Sequence, residues 1–364
     1  MTSYLAEIVA GAALSSVSLI GLAKNVGKTT TTNHLLETLL AANLYRAPEL
    51  SLTSLGLDGE AIDALTGLPK PRYMPQPRLV IATAAELLRQ AENEGIQAEY
   101  LLQLPGRTAL GPVVLARILQ PGRVVIAGPT MLRELRNALD KMQGFGSRLC
   151  IVDGAINRLG AASPGVTDAC IVCTGASVAG TPGLVARRTV DTLRRLTTQK
   201  TQWRDAYEEC ASQARLLMFP THNGHDTLIY AGSAEPMSEA AWIVAQMGVN
   251  ENATYFLNGA LTEELARALL AQLSPRSAHA QGELIVGDAT KIFCHSVVLQ
   301  RLAGHGLVVH VAHSINILAL TLNPFTPEYT CTPQQLLEAL LKELPRQHPP
   351  IIDVVSGLYS DGVL

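Results

Sequence analysis

The sequence predicts an α/β protein, in which a parallel sheet with crossover helices occupies residues 1–200 and a second α/β domain occupies residues 201–364. Short apolar runs alternate with stretches of helical periodicity through residues 1–200, and this alternation is typical of a parallel sheet. The polar stretch 198–207 then precedes a new series of strand and helix candidates. A chain of 364 residues is long enough for about two or three domains, and a hydrophobic content of 48% suffices for their cores.

The individual elements follow from the spacing of apolar residues and from the Gly, Pro, Asp and Asn residues that bound them. In the first domain we expect strands at 16–22, 50–55, 123–127, 149–152 and 169–174, helices at 28–44, 86–99 and 111–119, and an irregular segment at 66–82. In the second domain we expect strands at 214–219, 254–257, 283–286, 306–311 and 315–322, and helices at 238–247, 262–273, 295–302 and 333–344.

Charge and hydropathy exclude several classes of protein. The formal net charge is −3 and no run of Lys or Arg occurs in the sequence, which argues against a nucleic-acid-binding protein. No apolar stretch of the sequence reaches the roughly 18–20 residues of a membrane span. The N-terminus lacks the basic segment of a signal peptide and carries Glu7. We therefore expect a cytoplasmic protein that binds neither nucleic acid nor a membrane.

Six cysteines are scattered along the sequence without the pattern of a disulfide scaffold or a zinc site. Cys170 and Cys173 have the CxxC spacing, but they lie in an apolar run that is typical of a buried strand. Residues three apart on a strand point to opposite faces, so these two thiols could not easily bind one metal ion. We expect them to be buried structural thiols.

The segment GLAKNVGKTT at residues 21–30 is typical of a phosphate-binding loop (P-loop) between a strand and a helix. In such a loop glycines let backbone N–H groups turn toward the phosphates, and the N-terminus of the following helix adds its dipole. Lys28 would neutralise the β- and γ-phosphate oxygens, and the Thr29 hydroxyl would bind Mg²⁺. The nucleotide-binding residues that we expect are Gly21, Asn25, Val26, Gly27, Lys28, Thr29 and Thr30.

The spacing of this loop departs from the usual GxxxxGK[ST] pattern. That pattern requires glycine at position 22, where this chain has Leu22, and Gly21 stands one place earlier. The longer spacing resembles the loops of dethiobiotin synthetases and of their relatives among the signal-recognition and MinD-like NTPases. Lys24 does not match the additional signature lysine of the MinD-like branch, so we do not expect a lysine that crosses between subunits. The sequence contains no NKxD guanine-reading motif, which favours ATP over GTP.

Two aspartates follow predicted strands and are candidates to hold the metal ion. Asp153 ends an apolar run and would project from the carboxyl end of a strand, where ligands of open α/β sheets bind. We expect it to hold Mg²⁺ as a Walker-B acid does, with a structural cap as the alternative. In the relatives named above, an acid at the place of Asp58 orients the attacking water or contacts Mg²⁺; the alternative here is a simple Asp-Gly turn. The predicted catalytic residues are Lys28, Asp58 and Asp153, and the predicted metal ligands are Thr29, Asp58 and Asp153.

Several segments together resemble one protein family, the ATP-dependent reactivating factors (reactivases) of lysine 5,6-aminomutase, an adenosylcobalamin enzyme. The segments are 21–30, 51–60, 107–118, 151–164, 258–265, 287–293 and 315–327, which includes LNPFTP. The loop and the DGA motif are common to many NTPases, whereas LNPFTP is more particular to this family. The resemblance implies a chaperone-like protein that uses ATP to release damaged cobalamin from an inactivated mutase, together with a second reactivase subunit. The sequence has no DxHxxG motif, which fits a chaperone of a cobalamin enzyme and counts against a mutase.

Three functions stay open at this point. The leading one is an ATPase whose hydrolysis drives a conformational change in a protein client, with ATP and Mg²⁺ as cofactors and the C-terminal domain as the client or partner surface. The first alternative is a dethiobiotin-synthetase-like ligase or kinase that transfers phosphate to a small carboxylate. The second is a switch that binds nucleotide with little turnover. Self-association into a homo-oligomer is also left open.

Overall fold

The structure is a computed structural model that describes residues 3–56, 72–154, 159–210, 215–219, 228–230, 235–249, 253–273, 282–326 and 331–362. Its strands are β1 (Ser16–Gly21), β2 (Leu50–Ser54), β3 (Val80–Ala84), β4 (Gln97–Thr108), β5 (Gly111–Gln120), β6 (Leu149–Asp153), β7 (Ala169–Gly175), β8 (Leu216–Phe219), β9 (Leu228–Tyr230), β10 (Thr254–Leu257), β11 (Gly282–Asp288), β12 (Leu307–His313), β13 (Ile317–Asn323), β14 (Ile351–Ile352) and β15 (Tyr359–Ser360). Its α-helices are α1 (Tyr4–Gly11), α2 (Lys28–Ala41), α3 (Ala85–Asn93), α4 (Leu132–Gly144), α5 (Pro182–Leu196), α6 (Arg204–Cys210), α7 (Pro236–Val249), α8 (Glu263–Gln272), α9 (Ser296–Gly304) and α10 (Pro333–Glu343).

The chain divides into two compact units, Met1–Thr189 with Asn316–Leu364, and Val190–Ile315. This division differs from the predicted one, because residues 316–364 return to the first unit. The reason is the pairing of β13, which lies parallel to β7 with Leu322 opposite Thr174. A strand that pairs with a partner so distant in sequence leaves no local signal of the sheet to which it belongs.

A ten-stranded sheet forms the first unit, in the order β15-β14-β13-β7-β1-β6-β2-β3-β5-β4. The strands from β14 to β3 in this order are parallel, and antiparallel pairing occurs only toward the two edges of the described sheet. The prediction of an α/β fold with a mostly parallel sheet is confirmed. The strand order also reverses at β1. Strands β2 and β3 lie on one side of β1, and β7 and β13 lie on the other.

The strands at the centre of this sheet are buried along their whole length. Every residue of β1, β6 and β7 is buried, as the continuous apolar runs of the sequence predict for parallel strands covered on both faces. Helix α2 follows β1 and buries Leu35, Leu36 and Leu39. The central strands therefore provide a rigid support for the loops that follow their carboxyl ends.

Two predicted elements of the first domain are wrong, and a third ends earlier than predicted. Residues 111–119, predicted as a helix, form strand β5, whose partners β3 and β4 come from other parts of the chain. The helix predicted at 86–99 stops at Asn93 because Gly95 adopts a positive φ of 106°, and β4 begins at Gln97. The segment predicted as a strand at 123–127 contributes only an isolated bridge between Val124 and Tyr73.

Cys170 and Cys173 are free thiols buried in β7, as expected from the sequence. Burial raises the pKa of Cys170 to about 12 and that of Cys173 to about 11. No group of three or more His, Cys, Asp or Glu side chains suited to a metal ion occurs within the described ranges. These thiols therefore stay neutral at physiological pH and serve as small apolar core residues.

The second unit contains a five-stranded sheet in the order β12-β11-β10-β8-β9. Strands β10, β11 and β12 are parallel, with α8 and α9 as their crossovers, whereas β8 and β9 are antiparallel to their neighbours. Glu239 of α7 is buried and accepts a 2.5 Å hydrogen bond from Arg215 Nε. Among the helices that the structure describes, none combines the length and the apolar character that crossing a membrane requires.

Candidate functional site

The 21–30 loop begins where β1 ends and runs into α2. It therefore lies at the carboxyl edge of the parallel strands, next to the place where the strand order reverses. In open α/β sheets ligands bind in the crevice at such a point. Leu22 N donates a hydrogen bond of 3.0 Å to the carbonyl of Cys173, which anchors the start of the loop to the end of β7.

Two residues of this loop adopt a positive φ. Gly27 adopts a left-handed φ of 86° directly before α2, and Asn25 has a φ of 57°. The side chain of Lys28 folds back toward the end of β1. Its Nζ atom comes so close to Gly21 that a Cβ atom added to this glycine would lie 2.9 Å from it. A larger residue at position 21 would require the end of the flexible Lys28 side chain to shift, so glycine lets the ammonium approach the backbone here. The ammonium thus lies close to Gly21, and Lys28 is the first residue of a 14-residue helix, whose N-terminus is a place where anions bind.

Two side chains with oxygen donors contact each other at the start of α2. Asp153 is the last residue of β6, and it is buried between Leu19 of β1 and Ser54 of β2 in the strand register. Thr29, in the first turn of α2, donates a hydrogen bond of 3.5 Å to Asp153 Oδ2. A hydroxyl and a carboxylate are the hard oxygen ligands that Mg²⁺ prefers. The chemistry of this donor set fits a magnesium ion.

Tyr73 is a residue of this site that no sequence pattern predicted. Its hydroxyl donates a hydrogen bond to Asp153 Oδ2 and lies 3.5 Å from Thr29 Oγ1. Burial and the negative charge of Asp153 raise the pKa of the Tyr73 phenol well above its ordinary value, so the hydroxyl stays protonated. The residue belongs to the Pro-rich segment that was predicted to be irregular, and no local pattern marks it.

Side chains from two distant parts of the chain contact the carbonyls of the loop. Asn323, at the end of β13, donates a hydrogen bond of 2.5 Å from Nδ2 to the carbonyl of Asn25. It also packs against Gly27, where an added Cβ atom would lie 3.3 Å from the Cβ of Asn323. Ser177 Oγ donates a hydrogen bond of 2.6 Å to the carbonyl of Lys24. Two carbonyls of the loop thus accept hydrogen bonds from residues outside it. Because the loop is already ordered, it loses little conformational entropy when a ligand binds, which favours affinity.

Replacing Asn323 by alanine is expected to weaken ATP binding by about three- to tenfold, because one hydrogen bond that orders the loop is lost. The measurement is a calorimetric titration of the folded variant with ATP. Asn137→Ala, which removes an exposed amide on α4, is the control and should bind like the unaltered chain. Equal affinities for the two variants would contradict a role of Asn323 in ordering the loop.

The remaining predicted site residues lie in several environments. Val26 is buried beneath the loop, whereas Asn25 and Thr30 are exposed. Asp58 belongs to residues 57–71, which lie outside the described part of the chain, so its role as a catalytic residue and metal ligand stays a prediction. The structure brings together Gly21, Gly27, Lys28, Thr29 and Asp153 at one edge of the sheet.

Comparisons of this chain with protein-family models, with curated proteins and with solved structures find no match. The family resemblance described above therefore stays a prediction.

Proposed function

We propose that this chain binds ATP with Mg²⁺ at the 21–30 loop and hydrolyses it. The observation that carries the proposal is the position of Lys28, whose ammonium folds back over the loop to Gly21. An ammonium at a helix N-terminus, in a loop that also presents a hydroxyl in contact with a carboxylate, suits a triphosphate and its magnesium ion better than it suits an uncharged ligand.

The roles of the residues follow from their chemistry. Lys28 and the backbone N–H groups of the loop would bind the phosphate oxygens, and Thr29 with Asp153 would hold the metal ion. Magnesium, when bound, offsets the negative charge that develops on the transferred phosphoryl group. These groups come from the start of α2 and the end of β6, which meet at one edge of the sheet. Asp58 would orient the attacking water.

We further propose that hydrolysis serves a protein client, an adenosylcobalamin-dependent aminomutase, and that the chain acts there as a reactivase with a second subunit. This part of the proposal is supported by the family resemblance. The structure adds one supporting contact, because the segment LNPFTP contains Asn323, which binds the carbonyl of Asn25 in the loop. A change of the loop on hydrolysis would thereby reach the segment that most resembles the reactivases.

The test is to measure nucleotide binding and phosphate release by the purified chain, with and without Mg²⁺ and a cobalamin-dependent aminomutase. We expect ATP to bind, basal phosphate release to be slow and dependent on Mg²⁺, and the mutase to accelerate it. Phosphate release that requires a small carboxylate would support the ligase or kinase alternative instead. Absence of any ATP binding would reject the whole proposal.

One observation favours the second alternative, a nucleotide switch with little turnover. The Tyr73 hydroxyl binds the aspartate that would hold the metal ion and lies beside Thr29. A site closed in this way would hydrolyse ATP slowly until the tyrosine moves. Tight ATP binding without measurable phosphate release, in the presence and absence of a mutase, would support the switch.

A further inference from the structure

Tyr73 places a hydroxyl group between the two side chains that suit a metal ion. Its O–H points at Asp153 Oδ2, and its oxygen lies 3.5 Å from Thr29 Oγ1, which is itself 3.5 Å from the same carboxylate oxygen. The three oxygens thus form a compact triangle. The side chain is almost fully buried, with 5% of its surface exposed, so the hydroxyl is held in this position by its surroundings as well as by the hydrogen bonds.

This position conflicts with that of a bound metal ion. Magnesium binds oxygen ligands at about 2.0–2.1 Å in a strict octahedron and retains several waters. An ion shared by Thr29 and Asp153, directly or through one water, needs the space in front of both oxygens. The phenol already lies there, and its proton binds the carboxylate oxygen that would face the cation or its water.

The backbone of Tyr73 is held independently of its phenol. Tyr73 N donates a hydrogen bond of 3.0 Å to the Val124 carbonyl, and Val124 N donates one of 3.1 Å to the Tyr73 carbonyl. The preceding carbonyl, of Arg72, accepts a hydrogen bond of 3.1 Å from Asn33 Nδ2 on α2. These backbone bonds can persist when the ring rotates, but because the ring is almost fully buried, its rotation also requires the side chains packed around it to rearrange.

We propose that Tyr73 is a positioning residue that competes with the divalent cation: its phenol occupies the cation position in the metal-free protein and leaves it when Mg²⁺ binds with nucleotide. This inference rests on the proposed function, since it assigns the cation to Thr29 and Asp153. The competition makes cation binding weaker than the two ligands alone would give. Binding of the metal ion is thereby coupled to the exposure of the Tyr73 ring.

The test compares Tyr73→Phe with the unaltered chain and with Tyr45→Phe, which removes a hydroxyl from another buried tyrosine. Mn²⁺ affinity is measured by electron paramagnetic resonance with a non-hydrolysable ATP analogue, and affinity for the analogue is measured separately in EDTA. Tyr73→Phe should bind Mn²⁺ about fivefold to tenfold more tightly, because no hydrogen bond to a charged group has to be broken first. Tyr45→Phe should not differ from the unaltered chain.

The two affinities separate the failure of this inference from that of the proposed function. If the unaltered chain binds no analogue in EDTA or with Mn²⁺, the nucleotide site itself is wrong and the inference falls with it. If the analogue binds but Tyr73→Phe leaves Mn²⁺ affinity unchanged, the phenol does not compete with the cation. Weaker Mn²⁺ binding in that variant would show that the phenol supports the site, which also overturns the inference.

A second readout follows the side chain itself. In protein labelled with 3-fluorotyrosine, the ¹⁹F resonance of Tyr73 is identified by its loss in Tyr73→Phe. Adding Mg²⁺ with the analogue should move this resonance toward that of a solvent-exposed ring. A resonance that stays in place while the metal binds would contradict the displacement.

Discussion

Replacing Lys28 by alanine is expected to lower ATP affinity by about a hundredfold or more, which abolishes binding at ordinary concentrations. The ammonium lies close to Gly21 in the 21–30 loop, and in the proposed complex it would compensate the charge of the β- and γ-phosphates. Its loss leaves phosphate charge uncompensated in a partly desolvated site, and removing one partner of such a pair costs about 2–5 kcal/mol. The measurement is a fluorescence titration with a labelled ATP analogue, in EDTA and in Mg²⁺.

A matched control for this experiment lies in the same loop. Lys24→Ala removes an equal charge. The backbone carbonyl of Lys24 accepts a hydrogen bond from Ser177 Oγ, and the substitution retains this bond. We expect Lys24→Ala to change affinity by less than about threefold. If Lys28→Ala binds ATP as well as Lys24→Ala does, the assignment of the phosphate site to this loop is wrong.

The second large effect is expected for Asp153→Asn, which should reduce Mg²⁺-dependent ATP hydrolysis at least tenfold, or about 1.4 kcal/mol or more. Asparagine keeps the shape of the side chain and can still accept the hydrogen bond from Tyr73, but it removes the negative charge that would hold the cation. Binding of ATP in EDTA should be unchanged. Phosphate release as a function of Mg²⁺ concentration is the measurement.

Asp168→Asn is the control, because it also removes an aspartate charge next to a strand of this sheet. Asp168 lies at the opposite edge, where its Oδ2 accepts hydrogen bonds of 2.9 Å from the backbone N–H groups of Ser15 and Ser16. An asparagine can still accept these bonds, so this variant should fold and hydrolyse ATP like the unaltered chain. Unchanged turnover in Asp153→Asn would remove Asp153 from the proposed mechanism.

The fold was predictable from the sequence where structure depends on neighbouring residues. The apolar run before the loop forms β1, the glycine before Lys28 allows the turn, and α2 begins at Lys28, all within one short stretch. The parallel sheet was predictable because strands buried on both faces are continuous apolar runs. Prediction failed for Gly111–Gln120, which forms β5, since an apolar run of this length suits a helix or a strand and its pairing with β3 and β4 decides between them.

By itself, the sequence determined the 21–30 loop and the strand that ends in Asp153, because the conformation of each depends on residues close to it in the chain. Only the tertiary structure decided which distant side chains complete the site. Tyr73 contacts Thr29 across 44 residues, and Asn323 contacts Asn25 across 298. No periodicity or spacing predicts such contacts, because they arise only when the fold assembles: β13 pairs with β7, and Tyr73 forms a bridge with Val124.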